Sequence, residues 1–423
     1  MKKTFLIFTI FIVLPALYCA AEEVTLTLDE AVTIALRDNR DILLSAGAIE
    51  KAKWKINEAW AEVLPTLNLT VDRDTTQELQ PKPYTTNLIN ASLKQNIFKS
   101  GKIINTIKQN EYKRDVETAL LDKTKLETIF NVKKTFCTLV LADYFYDLNK
   151  KILQNAKQHY DVIIKRYEKG EVSRNELLNV RASWDSAKKN LEASLNHAQA
   201  SQALLCKLLF LKEAVKIKPN AKFVYEHREV IYDKALLAAM AKRPEIRQYE
   251  AQEKADKKAI NIAKAGNMPE IYATWDSYSG ERFVSLTAGG TNKWKNYNVY
   301  GFTLTWPIFD GFATKTKIEQ AIVDLKQTQL LRERTFQDIA LELKNAYLSF
   351  KNAISSIEAT ESDVKFYKNN FYTLKKKYKE GIASLLDMSD AYLKYKVSLF
   401  NKEQVLYDYI IAKSSLDKAE GSI

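Results

Sequence analysis

Glycine and proline are both scarce, with 11 and 8 among 423 residues. A chain with so few backbone breakers has little room for closely spaced turns and is expected to form long, uninterrupted helices. Histidine is rarer still. His159, His197 and His227 stand far apart, without the spacing of metal ligands. There is no glycine-rich phosphate loop and no Gly-x-Ser-x-Gly elbow. These absences argue against an enzyme, a cofactor or a resident metal. Beyond the N-terminal segment no apolar run reaches the roughly 18 residues of a membrane-spanning helix. If the chain crosses a membrane, it must do so as a closed β-barrel. The formal net charge is +12, but the 64 basic and 52 acidic residues interleave along helical stretches. They describe solvated helix faces, and no basic cluster points to nucleic acid.

The N-terminus has the form of a secretory signal, residues 1–21. Lys2 and Lys3 precede an apolar run from Phe5 to Leu14, and Ala20 and Ala21 are small residues suited to cleavage. The mature chain is expected to start near Glu22. The rival reading makes Cys19 a lipidated first residue, with Tyr18 a poor fit before it. The chain has two further cysteines, Cys137 and Cys206. An exported chain permits a disulfide between them, and two buried thiols are the alternative.

One short stretch occurs twice. Arg166-Tyr167-Glu168-Lys169-Gly170 leads to Ser173 and Glu176; Lys377-Tyr378-Lys379-Glu380-Gly381 leads to Ser384, Asp387 and Asp390. Each copy reads as a sharp turn between long helices, at 167–173 and 378–384. Gly170 and Gly381 suit the left-handed position that ends a helix. Ser173 and Ser384 suit the N-cap of the next helix, with Glu176 and Asp387 at the capping-box position.

The segments around the turns repeat as well. Thr27-Leu28-Asp29-Glu30 is a capping box, and it opens a helix expected to run to about Val63 before Leu64-Pro65 stops it. Strands with one apolar and one polar face follow at about 67–74 and 87–98. Leu67, Leu69 and Val71 alternate with Asn68, Thr70 and Asp72, and Ile89, Ala91 and Leu93 continue the apolar side. From Lys102 to Tyr167 there is neither proline nor glycine, so a helix of roughly 100 Å is expected. After the turn comes a helix from Arg174 to about Leu211, then a short β-like run, Lys222 to Tyr225.

The order then begins again, with Met268-Pro269 in the place of Leu64-Pro65. Strands are expected at about 271–279 and 297–309, with Tyr300, Phe302, Leu304 and Trp306 on the apolar side. A long helix from Thr314 to Tyr378 and a closing helix to about Leu416 complete the second round. The expected organisation is a tandem duplication, 22–220 and 221–423. The fold class is mainly α with a small β part.

Two hairpins with one apolar face supply four strands, too few for a barrel of useful width, so closure would require several chains. Trp275, Tyr278, Trp294, Tyr297, Tyr300 and Trp306 are expected to form an interfacial aromatic girdle. The sparse apolar positions of the long helices suit lateral packing into a hollow helical barrel.

In this arrangement the sequence resembles the TolC-like outer-membrane efflux protein family, from about Leu26 to Leu416. The resemblance rests on Leu28-Asp29-Glu30-Ala31 with Ala35-Leu36, the two helix-to-strand junctions, Ile308-Phe309-Asp310-Gly311, and the two Tyr-x-x-Gly turns. It implies a homotrimer with a twelve-stranded outer-membrane β-barrel continuous with a periplasmic α-helical barrel. It also implies partners: a periplasmic adaptor protein, an inner-membrane pump and outer-membrane lipids. The chain would be a passive exit duct for efflux; the outer-membrane component of type I protein secretion is the alternative. A periplasmic coiled-coil adaptor is a third reading, disfavoured by the duplicated hairpins.

For the turns, the resemblance implies the periplasmic mouth, with Asp387, Asp390 and Glu176 at acidic positions facing the lumen and Tyr378 helping to hold it shut. Ala383 replaces an arginine that latches the mouth in some members, and Asn179 stands at the position matching Asp390. The plainer reading stays open beside it: Glu176 and Asp387 complete capping boxes, and Asp390 favours a helix N-terminus electrostatically.

Overall fold

The computed structural model describes residues 23–76, 84–212, 215–280 and 294–422. The signal segment, with Cys19, lies outside them. The elements are β1 (Glu23–Leu26), α1 (Leu28–Asp38), α2 (Arg40–Ala61), β2 (Thr66–Thr76), β3 (Tyr84–Phe98), α3 (Lys102–Glu168) and α4 (Arg174–Leu209). There follow β4 (Lys216–Pro219), α5 (Tyr232–Lys242), α6 (Pro244–Lys264), β5 (Glu270–Gly280), β6 (Lys295–Thr305), α7 (Ala313–Lys379) and α8 (Leu385–Glu420). The fold is mostly helical. The two long helices, α3 and α7, have 67 residues each, and α4 and α8 have 36 each.

Two compact units emerge, and neither is one half of the sequence. The first comprises residues 23–39, 129–227 and 351–412. Its core gathers Val132, Phe136 and Leu139 of α3 with Leu205 and Leu209 of α4, against Ala31 and Ala35 of α1 and Ile217 of β4. Capping is what points α1 into this core. The Thr27 side chain accepts from the Glu30 N–H while Glu30 reaches back to the Thr27 N–H at 2.8 Å. Strand β1 pairs parallel with β4, Val24 opposite Ile217.

The second unit comprises residues 40–128, 228–350 and 413–422 and contains the main sheet. Its order is β2-β3-β5-β6, antiparallel throughout. The register sets Leu67, Leu93, Trp275 and Tyr300 in one row across all four strands. Paired residues share a face, so this face is apolar: Leu69 is 70 % exposed and Phe302 82 %. The opposite face carries Asn68, Ser92, Asp276 and Val299 in one row, and Lys94 lies over the Tyr272 ring at 4.0 Å. Helix α6 is tied to α7 by Thr328 Oγ1 donating to Asp256 (2.6 Å) and by Arg332 to Glu253 (2.6 Å).

Several expectations need correction. The first helix does not run unbroken to Val63. Asn39 is extended (φ −64°, ψ 126°) and buried, and it separates α1 from α2. The break recurs at Arg243, where Pro244 opens α6 and its missing N–H suits a first helical turn. The β-like run 222–225 is not a strand. The pairing partner is the earlier Lys216–Pro219, and it pairs with β1, a strand the sequence pattern did not suggest. Strand β6 ends at Thr305, not 309, because Pro307 cannot donate to a ladder.

The aromatic girdle divides between faces. Tyr278 and Tyr297 are opposite partners on the polar face, stacked at 4.9 Å, while Trp275 and Tyr300 lie on the apolar one. The cysteines are both buried thiols rather than a disulfide. Burial pushes the Cys137 thiol up to about 11, and Cys206 Sγ donates to the Val215 carbonyl at 3.6 Å.

The first unit's core gives a direct test. Phe136→Ala removes a fully buried ring and is expected to lower stability by about 3–5 kcal/mol. Phe366→Ala removes a largely exposed one and should change stability by less than about 1 kcal/mol. Denaturant midpoints of the two purified variants check this.

Candidate functional site at the two helical turns

Both turns lie in the first unit. The first ends α3 with two backbone bonds, Gly170 N–H to the Tyr167 carbonyl (2.9 Å) and Glu171 N–H to the Arg166 carbonyl (2.9 Å). The second ends α7 in the same way: Gly381 N–H to Tyr378 (3.1 Å), Ile382 N–H to Lys377 (2.9 Å). This is the paired bonding that closes a helix through a left-handed residue, and Gly170 (φ 73°) and Gly381 (φ 75°) supply it. A side chain at either position would strain the turn.

The next helices begin differently. At α8 the capping box is complete. Ser384 N–H and Oγ–H both donate to Asp387 Oδ2 (3.1 and 2.7 Å), and Asp387 N–H donates to Ser384 Oγ (3.1 Å). At α4 it is half made: Glu176 N–H donates to Ser173 Oγ at 3.2 Å, and the Glu176 carboxylate makes no return bond among the described residues. The acid in this first turn that does find a cation is Glu171, paired with Arg166 at 3.2 Å.

The four acidic and phenolic residues singled out from the sequence are therefore brought to the turns in distinct states. Asp387 is engaged, and hydrogen bonds from the Ser384 side chain and then its backbone hold its carboxyl below the ordinary carboxylate range. Asp390 and Glu176 are exposed, with no ion pair among the described residues. Tyr378 is partly exposed, and its hydroxyl meets no carboxylate among the described residues.

Sequence reasoning missed a bond that joins the two helical hairpins near the second turn. Asn155 Nδ2 on α3 donates to Ser389 Oγ on α8 at 2.7 Å, and Ser389 is buried. Beside it Phe371 of α7 packs on Tyr392 and Tyr395 of α8, at 5.4 and 6.0 Å between ring centres. A cavity of about 330 Å³ opens there between Lys151, Gln158, Lys375 and these groups. The only sequence signal for Asn155 was its place one turn from Lys151 and Gln158 on a common helix face. Among the described residues no group of three His, Cys, Asp or Glu is close enough to hold a metal, and no helix is long and apolar enough to cross a membrane.

Comparison with known proteins follows the same arrangement. Residues 31–209 and 235–422 match the family model described as outer membrane efflux protein. The chain is 24 % identical over 391 residues to a Salmonella typhimurium protein described as the probable outer membrane lipoprotein SilC, covering 88 % of this chain and 80 % of that one. Its fold is similar to the Campylobacter jejuni CmeC outer membrane channel (TM-score 0.81, 19 % identity, 93 % of this chain and 85 % of the other). It is also similar to the Neisseria gonorrhoeae MtrE outer membrane channel in its open state (TM-score 0.75, 18 % identity, 93 % and 88 %).

The Ser384–Asp387 cap can be tested in the purified chain. Ser384→Ala is expected to reduce amide-exchange protection in the first turn of α8 roughly fivefold, the weight of a typical N-cap. Because the Asp387 carboxyl is held low in the folded state, its share of that protection is complete above the ordinary carboxylate range. It is lost as pH falls through the folded value. Protection that stays level across that acid window in the unmodified chain would contradict this assignment.

Proposed function

We propose, on the premise that this chain belongs to the outer membrane efflux protein family, that it is the outer-membrane exit duct of a tripartite efflux system. The observation that carries this reading is the sheet. It has an exposed apolar face, a polar face, and two outer edges, on β2 and β6, with no neighbouring strand among the described residues. Lipid requires every backbone group to be paired, so such a sheet is suited to a membrane only once further copies close it. Three copies of four strands give the twelve-stranded barrel expected of the family. The equal lengths of α3 and α7, and of α4 and α8, support tandem duplication of the chain, 22–220 and 221–423.

In this reading the two turns form the periplasmic mouth of a homotrimer, reached by a periplasmic adaptor and an inner-membrane pump that supplies the energy. Asp390 and Glu176 contribute mobile charge at the mouth. Asp387 contributes a charge held still by its cap. A ring of carboxylates in a narrow pore attracts cations and binds multivalent ones most strongly. Tyr378 has no acidic partner among the described residues, so a link holding the mouth shut would reach a neighbouring copy.

Two measurements test this. Asp387→Asn with Asp390→Asn removes charge while leaving the Ser384 cap and a side-chain oxygen at 387 that can accept from it. In planar bilayers the double variant is expected to be blocked less by trivalent cations than the unmodified channel, and identical block would remove the acids from the mouth. Leu69→Arg places a cation on the apolar face, which is destabilising by up to about 2–4 kcal/mol at the bilayer midplane. It should sharply reduce heat-resistant oligomer in outer-membrane extracts. Unchanged oligomer would mean that this face does not meet lipid.

A further inference from the structure

Below the sheet, between the end of α2 and the start of α3, the second unit has a cavity of about 610 Å³. Its walls are Trp60, Ile97, Phe98, Ile104 and Ile107, and its polar rim includes Lys99 and Lys108. Two of the walls are large apolar side chains left open to solvent: Ile104 is 62 % exposed and Trp60 53 %. Deeper in, Ile107 is buried. The ladder fixes which side of the sheet the cavity belongs to. After the bulge at Asn96, Phe98 pairs with Ile271, which pairs with Leu304 on the apolar face. The cavity is thus continuous with the face expected to meet lipid.

The geometry points to a phospholipid site: one acyl chain of the periplasmic leaflet enters this groove, and its phosphate rests on Lys108. This rests on the membrane-barrel reading of the sheet. Three observations select the occupant. The first is continuity with the apolar face. The second is depth. Lys108 lies six residues into α3, about 9 Å along the axis. The headgroup layer beyond the hydrocarbon is about 5–8 Å thick, so a lysine at that depth can reach up to a phosphate with its flexible stem. The third is charge. Lys108 is exposed, with no carboxylate in ion-pair range among the described residues, whereas Lys99 is already held by Glu62 at 3.1 Å. Glu111 also borders the groove one turn further on, on the side away from the sheet. Trp60 fits the interfacial position that indole rings favour.

The test uses the full-length protein extracted in detergent, delipidated, and titrated with dioleoyl phosphatidylglycerol under native mass spectrometry. Two variants probe the groove independently: Ile104→Trp fills it, and Lys108→Gln removes the cation at its rim. Each is expected to lower the apparent lipid affinity about fivefold or more, the effect of one lysine near an anionic headgroup. Inorganic phosphate should not displace the lipid. Wild-type affinity in both variants overturns the site. Displacement by phosphate alone also overturns it, because it would reveal a headgroup-only anion site. Loss of oligomer in Ile104→Trp with unchanged lipid affinity in Lys108→Gln overturns it in favour of a contact between copies. Conductance of the unmodified protein separates the two readings. A conducting channel with no groove-dependent lipid binding refutes only the site, and a protein that never conducts refutes the duct as well.

Discussion

The four-stranded sheet ends in two open edges, and the side chains on one of its faces are apolar. In water such edges invite uncontrolled pairing, and such a face invites aggregation. In lipid the apolar face is satisfied but the unpaired edge groups are not. On the duct reading, further copies remove both problems together, because each open edge on β2 meets the edge on β6 of another chain. The helices are subject to the same logic. The 67 residues of α3 and of α7 bury only sparse positions within the chain, so much of each must pack laterally to be stable.

The connection between sheet and helix then has to be abrupt. On the duct reading, a strand two residues too long would carry unpaired backbone below the membrane. Pro307 ends β6, and Asp310 caps the start of α7, its Oδ2 accepting from the Thr314 N–H at 2.8 Å. At the equivalent place after β3, Ser100 (φ 48°) and Gly101 (φ 75°) turn the chain into α3. Ser100 Oγ donates to the Pro269 carbonyl at 2.6 Å, holding the first junction against the second. The groove beneath Phe98 lies at this same junction, between the end of α2 and the start of α3.

Local rules made much of this legible. Tyr-x-x-Gly followed by serine and an acid specifies a closed helix end and a new helix start within a few residues, and both turns have that form. Alternation of apolar and polar residues gave the strand faces, because side-chain direction has a strict period of two. What escaped depended on distant partners. Strand β1 is four residues long, and only its neighbour β4 makes it a strand. Tyr278 and Tyr297 looked like girdle residues by composition, yet their register puts them opposite each other on the polar face. Asn39 breaks a helix without proline or glycine. Its extended backbone is set by tertiary packing that no local pattern encodes. The Asn155–Ser389 bond joins residues 234 positions apart, beyond the reach of any helical periodicity.

The acids at the second turn show why motif and role have to be separated. Three residues apart on one helix, Asp387 and Asp390 are paired as mouth acids by the family resemblance, although only Asp387 stands at the capping-box position. The structure makes them unequal: Asp387 accepts from the Ser384 hydroxyl and backbone, whereas Asp390 accepts from nothing among the described residues. A carboxylate already bonded to two donors has less capacity left for a passing cation and cannot swing to meet it, while a free one can do both. The α8 helix places Ser389 about 100° from Asp390 and about 160° from Asp387, and Ser389 is fixed to α3 through Asn155. Any rotation of α8 that turned the acids away from a lumen would therefore have to break the Asn155–Ser389 bond or carry α3 along. On the duct reading, the charge at the mouth and the packing of the two hairpins would be coupled through that one buried serine.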